Sequence, residues 1–557
     1  METLTSVTVN ALSSSAPSRP ETLRVDLAAN GLLPSLPSAF LAGRDQDLLA
    51  PLRFVARDAR PSGPARAGDR RELAAELAVA NRGYGHPEAA ALARKLADPA
   101  TRVVVTGQQP GLLGGPLYSV AKAVAAARWA AELEAAGEPA VAVFWIATED
   151  HDWAEVSSAV VPTPDGVRAF DLGPDPEPLA PAGMRALGPQ VAEVLRELSA
   201  VMPGERYGEW LEQVGRWYRP DARFGEAFAR LMAALLGPRC PLLLDAMHPA
   251  LKAAQRPWLR RVIERRVAIE EALARQDAEV ERRGHSLQVS PQRGASPLFL
   301  LSRGERRRIE WRGAGAWTLR GREDSGGSVD ELLRIVEENP GVVSPGVLAR
   351  GAIQDAVLGT FLQVLGPGEL SYMAQVSAVY PVLEVEAPWV ALRPQTLVLE
   401  GHQIEKLEEL GIGLADLLGS QQRLDRALTA GGDGDFVAPI RARVEAALGE
   451  LRGSALAADP NLERPYEKTC EQILRALDTF GEKAIAAAAR RNEVRARRVD
   501  QLRETCLPLG RLQERVIAAA HFQGKYGERF AESFWEQMEL DPAFLQVVSP
   551  ARKEGWS

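Results

Sequence analysis

The chain has 557 residues, of which 46% are hydrophobic and 25% charged, with a formal net charge of −8. That length exceeds a single hydrophobic core and predicts two or three parts, and the acidic balance argues against a nucleic-acid surface. No run is long and apolar enough to span a membrane, and the scattered Cys240, Cys470 and Cys506 predict a reducing cytoplasm rather than a disulfide or zinc framework.

Taken in chain order, METLTSVTVNALSSSAPSRP has neither the basic start nor the apolar core of a secretory signal, and reads as a loosely attached extension. The segment from Arg102 to Asp152 is the most informative. Val103, Val104 and Val105 form a β-branched run suited to a strand buried on both faces, and a loop with Gly107, Gly111, Gly114 and Gly115 follows. Pro116 is expected to open a helix ending at Gly137, and Ala140 to Ala147 supplies a second buried strand. Two strands bridged by one helix run parallel with a right-handed crossover.

In parallel sheets ligands sit beyond the carboxyl ends of the strands. Thr106, Gly107, Gln108 and Gln109 follow the first strand, and Glu149, Asp150, His151 and Asp152 follow the second. The glycine loop is neither a Walker loop nor a dinucleotide fingerprint, although its backbone and glutamine amides suit a carboxylate, a ribose or a sugar. The plain alternative is a tight turn with solvated glutamines. In the acidic loop, His151 is a candidate base with Asp150 or Asp152 fixing its tautomer; alternatively the cluster holds a metal or an ammonium group, or is a solvated turn.

Residues 174–190, rich in proline and acid, read as a loop, and 191–236 as an inserted helical lobe with Trp210, Trp217, Tyr218 and Phe224. The run 241–245 is a strand ending at Asp245, which either reaches the sheet edge or caps a helix, while His248 before a proline reads as a loop residue. Phe361 to Leu365, the Gly366-Pro367-Gly368 turn and a helix opening at Glu369 with Tyr372 and Gln375 form a second strand, loop and helix. Glu369 either orients a hydroxyl or favours the helix dipole, and Tyr372 is also readable as core.

From about Arg393 the chain is largely helical. Val437, Ile440, Val444, Ala447 and Leu451 form one heptad-like seam and Ile473, Leu477, Phe480, Ala484 and Ala487 a second, predicting an antiparallel hairpin turning at 453–460. The arginines Arg490, Arg491, Arg495, Arg497 and Arg498 read as a solvated face paired with acids, or as groups closing over phosphates.

VVVTGQQPGLLGGPLYSVAKA followed by VFWIATEDHDWAEV resembles the signature of the bacillithiol biosynthesis cysteine-adding enzymes. The likeness continues in PLLLDAMHPALK (241–252), SPLFLLSRGERRRIE (296–310), SPGVLARGAIQDAVLGTFLQVLGPGELSYMAQ (344–375) and LRETCLPLGRLQERVIAAAHFQGKYG (502–527). Three positions depart from the pattern. Gly351 and Gly359 replace prolines, which predicts a looser backbone there, and His285 stands where an aromatic is common.

The resemblance implies an α/β protein with a Rossmann-like parallel-sheet core, inserted connecting segments and a helical C-terminal coiled coil. The corresponding boundaries are an N-terminal extension and helical lead-in over 1–100, and a core over 101–393 with a helical insertion at about 174–238 and a small β segment at about 286–320. A coiled-coil domain with its closing segment covers 394–557. The implied reaction is a cytoplasmic amide ligation joining cysteine to the amine of glucosaminyl malate, with ATP or another nucleotide activating the carboxylate, no metal, and a homodimer formed through the coiled coil.

The catalytic candidates are then His151, Asp150 and Asp152, with His151 deprotonating the amine. Substrate or nucleotide contacts are assigned to Thr106, Gly107, Gln108, Gln109, Gly111, Gly115, Tyr118, Lys122, Glu149, Asp245, Arg350, Gly366, Gly368, Glu369, Tyr372 and Gln375. The alternative is a non-catalytic or divergent small-molecule-binding dimer on the same fold.

Overall fold

The computed structural model describes residues 21–550, apart from 58, 67, 69, 291, 293, 314, 430–436 and 491–492. The chain forms two compact units. One comprises Leu27–Val398 together with the segment from Glu514; the other comprises Leu399–Gln513 with a short piece ending at Asp26.

The first unit is built on a six-stranded sheet: β1 (Arg53–Phe54), β2 (Arg102–Gln108), β3 (Ala140–Ile146), β4 (Leu242–Asp245), β5 (Thr360–Leu365) and β6 (Trp389–Leu392). The strand order is β1-β6-β5-β2-β3-β4, and every pairing is parallel. Alternation explains why β2 and β3 read as unbroken apolar runs, because both faces are covered. Val103, Val105, Val141, Val143 and Trp145 pack with Leu73, Leu77 and Leu251 on one side. Val104, Ala142, Phe144 and Ile146 pack on the other with the helix Tyr118–Ala135 and with Phe522, Phe530 and Phe534.

The helix after β2 begins at Tyr118 and not at Pro116, which makes an isolated bridge to Ala518. A short 3-10 turn over Leu112–Gly114 occupies the loop instead, and the helix ends before Gly137, whose φ of 79° suits glycine. Gly351 lies inside the helix Val347–Leu358, and Gly359 terminates it with φ 59°, ψ 48°. Proline cannot adopt that left-handed conformation, so Gly359 makes a defined helix stop where looseness was expected.

Helices Gln190–Val201, Glu205–Gly215 and Phe224–Leu236 form the helical insertion. The second insertion is larger than a small β segment: five antiparallel strands run from Ala295–Ser302 to Val343–Pro345. The closing segment folds with the first unit. Its strand Gln546–Val548 pairs in parallel with Thr396–Val398, and its phenylalanines enter the core beside β3.

In the second unit, helices Val437–Ala458 and Glu463–Arg490 form the hairpin, turning at Asp459–Leu462, later than the expected 453–460. Proline and asparagine, together with the Asp459 carboxylate that accepts from the Asn461 N–H at 2.9 Å, set that turn. The helices Glu463–Arg490 and Glu493–Cys506 fall on the expected 461–505 span, and the two residues between them lie outside the described residues. Of the arginine run, Arg498 pairs with the acid Glu409, whereas Arg495 donates to the Leu410 carbonyl; Arg491 lies outside the described residues. No described helix is long and apolar enough to cross a membrane.

Candidate active site at the sheet edge

The parallel strands bring five loops to one edge: those after β2, β3, β4, β5 and β6. In the β2 loop, Gly111 is required by close approach, since a Cβ there would lie 2.7 Å from Gly115 Cα. The Gly111 and Gly115 N–H groups donate to Gln109 and Leu112 carbonyls at 2.9 and 3.1 Å. They are therefore consumed in the turn, and do not form a phosphate cradle.

Lys122, only 3% exposed, is likewise committed. Its ammonium donates to Gly107 O at 2.7 Å and Gln108 Oε1 at 2.8 Å, and pairs with Glu369 Oε2 at 2.6 Å. Three protons meet three acceptors. Lys122 thus ties the glycine loop to the second signature, with burial depressing its pKa and Glu369 opposing that. Glu369 also accepts the Gly366 N–H at 2.7 Å, so it caps its own helix, Pro367–Val376. Arg350 donates to Tyr372 Oη at 3.1 Å, joining the preceding helix to this one. Gly368 has open space around the position of a Cβ.

The two glutamines of the loop are half-buried and directed at Glu155. Gln108 Nε2 donates to Glu155 at 2.7 Å and to Tyr118 Oη at 3.2 Å, and Gln109 Nε2 donates to the other Glu155 oxygen at 2.8 Å. Donation to a carboxylate fixes both amide orientations, leaving Gln109 Oε1 buried without a hydrogen-bond partner among the described residues. Burial, then Asp152 and Asp150, push the Glu155 carboxyl up to about 6. Burial also raises the Tyr118 phenol to about 12.

The acidic loop after β3 resolves its repulsion by sending each group elsewhere. Glu149 turns inward, 4% exposed, to an ion pair with Lys252, whose ammonium also donates to Val343 O at 3.1 Å. Asp152 accepts from the Glu155 N–H and caps the helix Trp153–Val156. Asp150 and His151 face the buried Arg306 of the antiparallel insertion: its Nη1 lies 3.4 Å from Asp150 Oδ1 and 3.5 Å from His151 Nδ1. The Arg306 guanidinium stacks 3.9 Å from the Phe299 ring centroid and donates to Ser344 Oγ at 2.9 Å and Pro345 O at 3.1 Å. Burial first, and the Arg306 charge second, hold the His151 imidazole below its usual range.

Three other candidates are structural in this geometry. Thr106 Oγ1 donates to Val364 O at 2.8 Å, stitching β2 to β5. Asp245 accepts from Thr148 Oγ1 and from the Met247 N–H at 2.8 Å, while His248 caps the following helix. Gln375, 1% exposed, spends its amide on Asp277, Val289 O and the Gln288 and Val289 N–H groups; the edge does not include it.

Glu155, Lys252, Arg306 and Arg393 were not singled out by sequence. Arg393, 2% exposed, follows β6 and forms a bidentate pair with Glu514 at 2.7 and 2.8 Å, and its guanidinium lies 5.8 Å from the Tyr118 ring centroid. The Arg-Pro step at a strand end was the available signal for it. For Glu155, the three-residue offset from Asp152 was a local one. A separate cavity of about 1580 Å³ is lined by Tyr207, Trp210, His521 and Gln523; its rim mixes Arg206, Lys525 and Arg529 with several glutamates, so charge selects no ligand class there.

This assembly of glycine loop, acidic loop and second signature on one chain has counterparts. Residues 55–394 match the model described as "Bacillithiol biosynthesis BshC, N-terminal Rossmann-like domain", and 396–544 match its C-terminal coiled-coil domain. The chain belongs to the BshC family of bacillithiol biosynthesis. Among its relatives, a protein of Solibacter usitatus is 30% identical over 85% of this chain and 88% of its own length. One of Salinibacter ruber is 31% identical over 89% and 91%, and one of Symbiobacterium thermophilum 31% over 90% and 92%. Each bears the name "Putative cysteine ligase BshC".

Proposed function

We propose that this BshC-family protein is a cysteine ligase of bacillithiol biosynthesis, condensing the cysteine carboxyl with the amine of glucosaminyl malate. The observation that carries the reading is the family match across both units, 55–394 and 396–544, with both signature loops meeting through Lys122. Glu155 and Asp150 supply acceptors suited to an ammonium group.

Amide formation from a free carboxylate needs activation, and ATP or another nucleotide is the proposed source. The Gly111 and Gly115 amides and Lys122 do not fit a phosphate cradle, so no step is assigned to them. Self-association through the exposed apolar hairpin and a cytoplasmic setting complete the proposal. Purified protein mixed with cysteine and glucosaminyl malate should yield the condensed thiol by mass when ATP or another nucleotide is supplied, and none without it. Ligand binding with no product under any nucleotide would instead favour a non-catalytic binding protein.

A further inference from the structure

The role of His151 turns on which ring nitrogen carries its proton. Arginine has only donors, and its guanidinium stays protonated in proteins. The Arg306 Nη1 is ion-paired with Asp150 Oδ1 at 3.4 Å and stands 3.5 Å from His151 Nδ1, to which it can only donate. Nδ1 must therefore present its lone pair. Arg306 has little freedom to do otherwise: it is 4% exposed, Nε is held by Ser344, Nη2 by Pro345 O, and its plane lies on Phe299. The same Phe299 ring stands 6.3 Å from the imidazole centroid, so one side chain packs against both partners.

We propose that Arg306 is a positioning residue that locks His151 as the Nε2–H tautomer, so that His151 meets the substrate as a hydrogen-bond donor to an oxygen and not as a general base. This rests on the ligase reading for its substrate: the oxygen is that of the cysteine carboxyl under attack, whose negative charge grows as the amine adds. His151 gives up no proton in this role; it donates a hydrogen bond that strengthens with that charge. Burial and the Arg306 charge favour the neutral imidazole, and Arg185 acts in the same direction against Asp150 and Asp152. The ring is half-buried, and Nε2 makes no hydrogen bond among the described residues, leaving it available at the edge. A neutral histidine kept as a donor by its surroundings is an established way to polarise a carbonyl.

The tautomer can be read without turnover. In full-length protein labelled with 15N-histidine, the His151 resonances, identified by their loss in His151→Gln, should show a pyridine-like Nδ1 and a pyrrole-like Nε2 at neutral pH. A protonated Nδ1, or an imidazolium, overturns the proposal. Kinetics give the second arm. His151→Ala should lower kcat on the order of a hundredfold, the loss of one oxyanion donor, whereas His151→Gln, whose amide places an N–H near Nε2 but cannot act as a base, should recover most of that loss. Equal losses in both variants overturn the donor role.

Arg306→Lys should retain the tautomer and Arg306→Met should release it, moving the Nδ1 resonance; a spectrum unchanged in folded Arg306→Met would remove Arg306 from the lock. Absence of product from the wild-type protein would defeat the ligase reading while leaving the spectroscopic result standing.

Discussion

The sheet edge and the helical hairpin solve opposite problems. At the edge, charged groups are buried and spent on one another: Lys122 on the glycine loop and Glu369, Glu149 on Lys252, Arg393 on Glu514. In the hairpin the polar groups are solvated, while Phe480 is 66% exposed, Leu451 55% and Ile440 44%. Tyr466 donates to Leu448 O at 2.8 Å, Arg452 pairs with Glu463, and Arg441 pairs with Asp478. The difference teaches that the edge is pre-organised by its own unit, whereas the hairpin presents a surface that wants a partner.

The largest effect expected from breaking this contrast lies at Glu514, which is fully buried. Its carboxylate takes two bonds from Arg393 and two from the Thr396 N–H and Oγ1, at 2.8 and 3.0 Å. Glu514→Ala leaves the Arg393 charge buried and uncompensated, which costs about 3–5 kcal/mol. Thermal unfolding of the variant should show it, and an unchanged Tm would mean that the pair is not desolvated as described.

Next in size is Lys122→Met. It strips donors from Gly107 O, Gln108 Oε1 and Glu369 at once, and each buried group left unsatisfied costs about 1–3 kcal/mol. Because the change unties the glycine loop from the second signature, kcat should fall on the order of a hundredfold. A stability loss with full activity would show that the tie serves folding alone.

A smaller effect concerns pH. Glu155 titrates near 6 in the folded protein, against an ordinary 4.5, chiefly through burial and then Asp152 and Asp150. Between those values the folded state holds a proton that the unfolded state has lost, so this group lowers stability as pH rises from about 4.5 to 6. Glu155→Gln should flatten that part of the stability profile. Denaturant midpoints measured across the window check it, and an identical slope in both proteins would reject the assignment.

What the sequence made legible follows from range. The strands β2 and β3 were readable because burial on both faces forces local apolar runs, and the helix after β5 was readable too, although it opens at Pro367, where proline suits the first helical position, and not at Glu369 as expected. The two-residue strand β1 is too short to show a period. Partner choice was not readable at all: Glu149 finds Lys252 across 103 positions, and Arg306 differs from its neighbours Arg307 and Arg308 only in where the antiparallel insertion places it. The acidic loop therefore read as one cooperating cluster or a solvated turn, whereas tertiary structure sends Glu149 to Lys252, Asp152 to its own helix, and Asp150 and His151 to Arg306. Conversely, the hairpin seams were visible as periodicity, but periodicity does not say whether a seam is filled from within.

That last question has the smallest expected effect on stability and decides the hairpin half of the comparison. Phe480 and Ile473, 66% and 40% exposed, lie two helical turns apart on the same helix. Within one chain, replacing Phe480 by Asp removes little buried area, so unfolding of the first unit should change by no more than about 0.5 kcal/mol. If two hairpins cover each other, the same substitution places a charge in an apolar interface, and sedimentation should shift from twice the chain mass to the chain mass. An unchanged mass, with wild type already monomeric, would mean that the hairpin's apolar surface serves something other than a second copy.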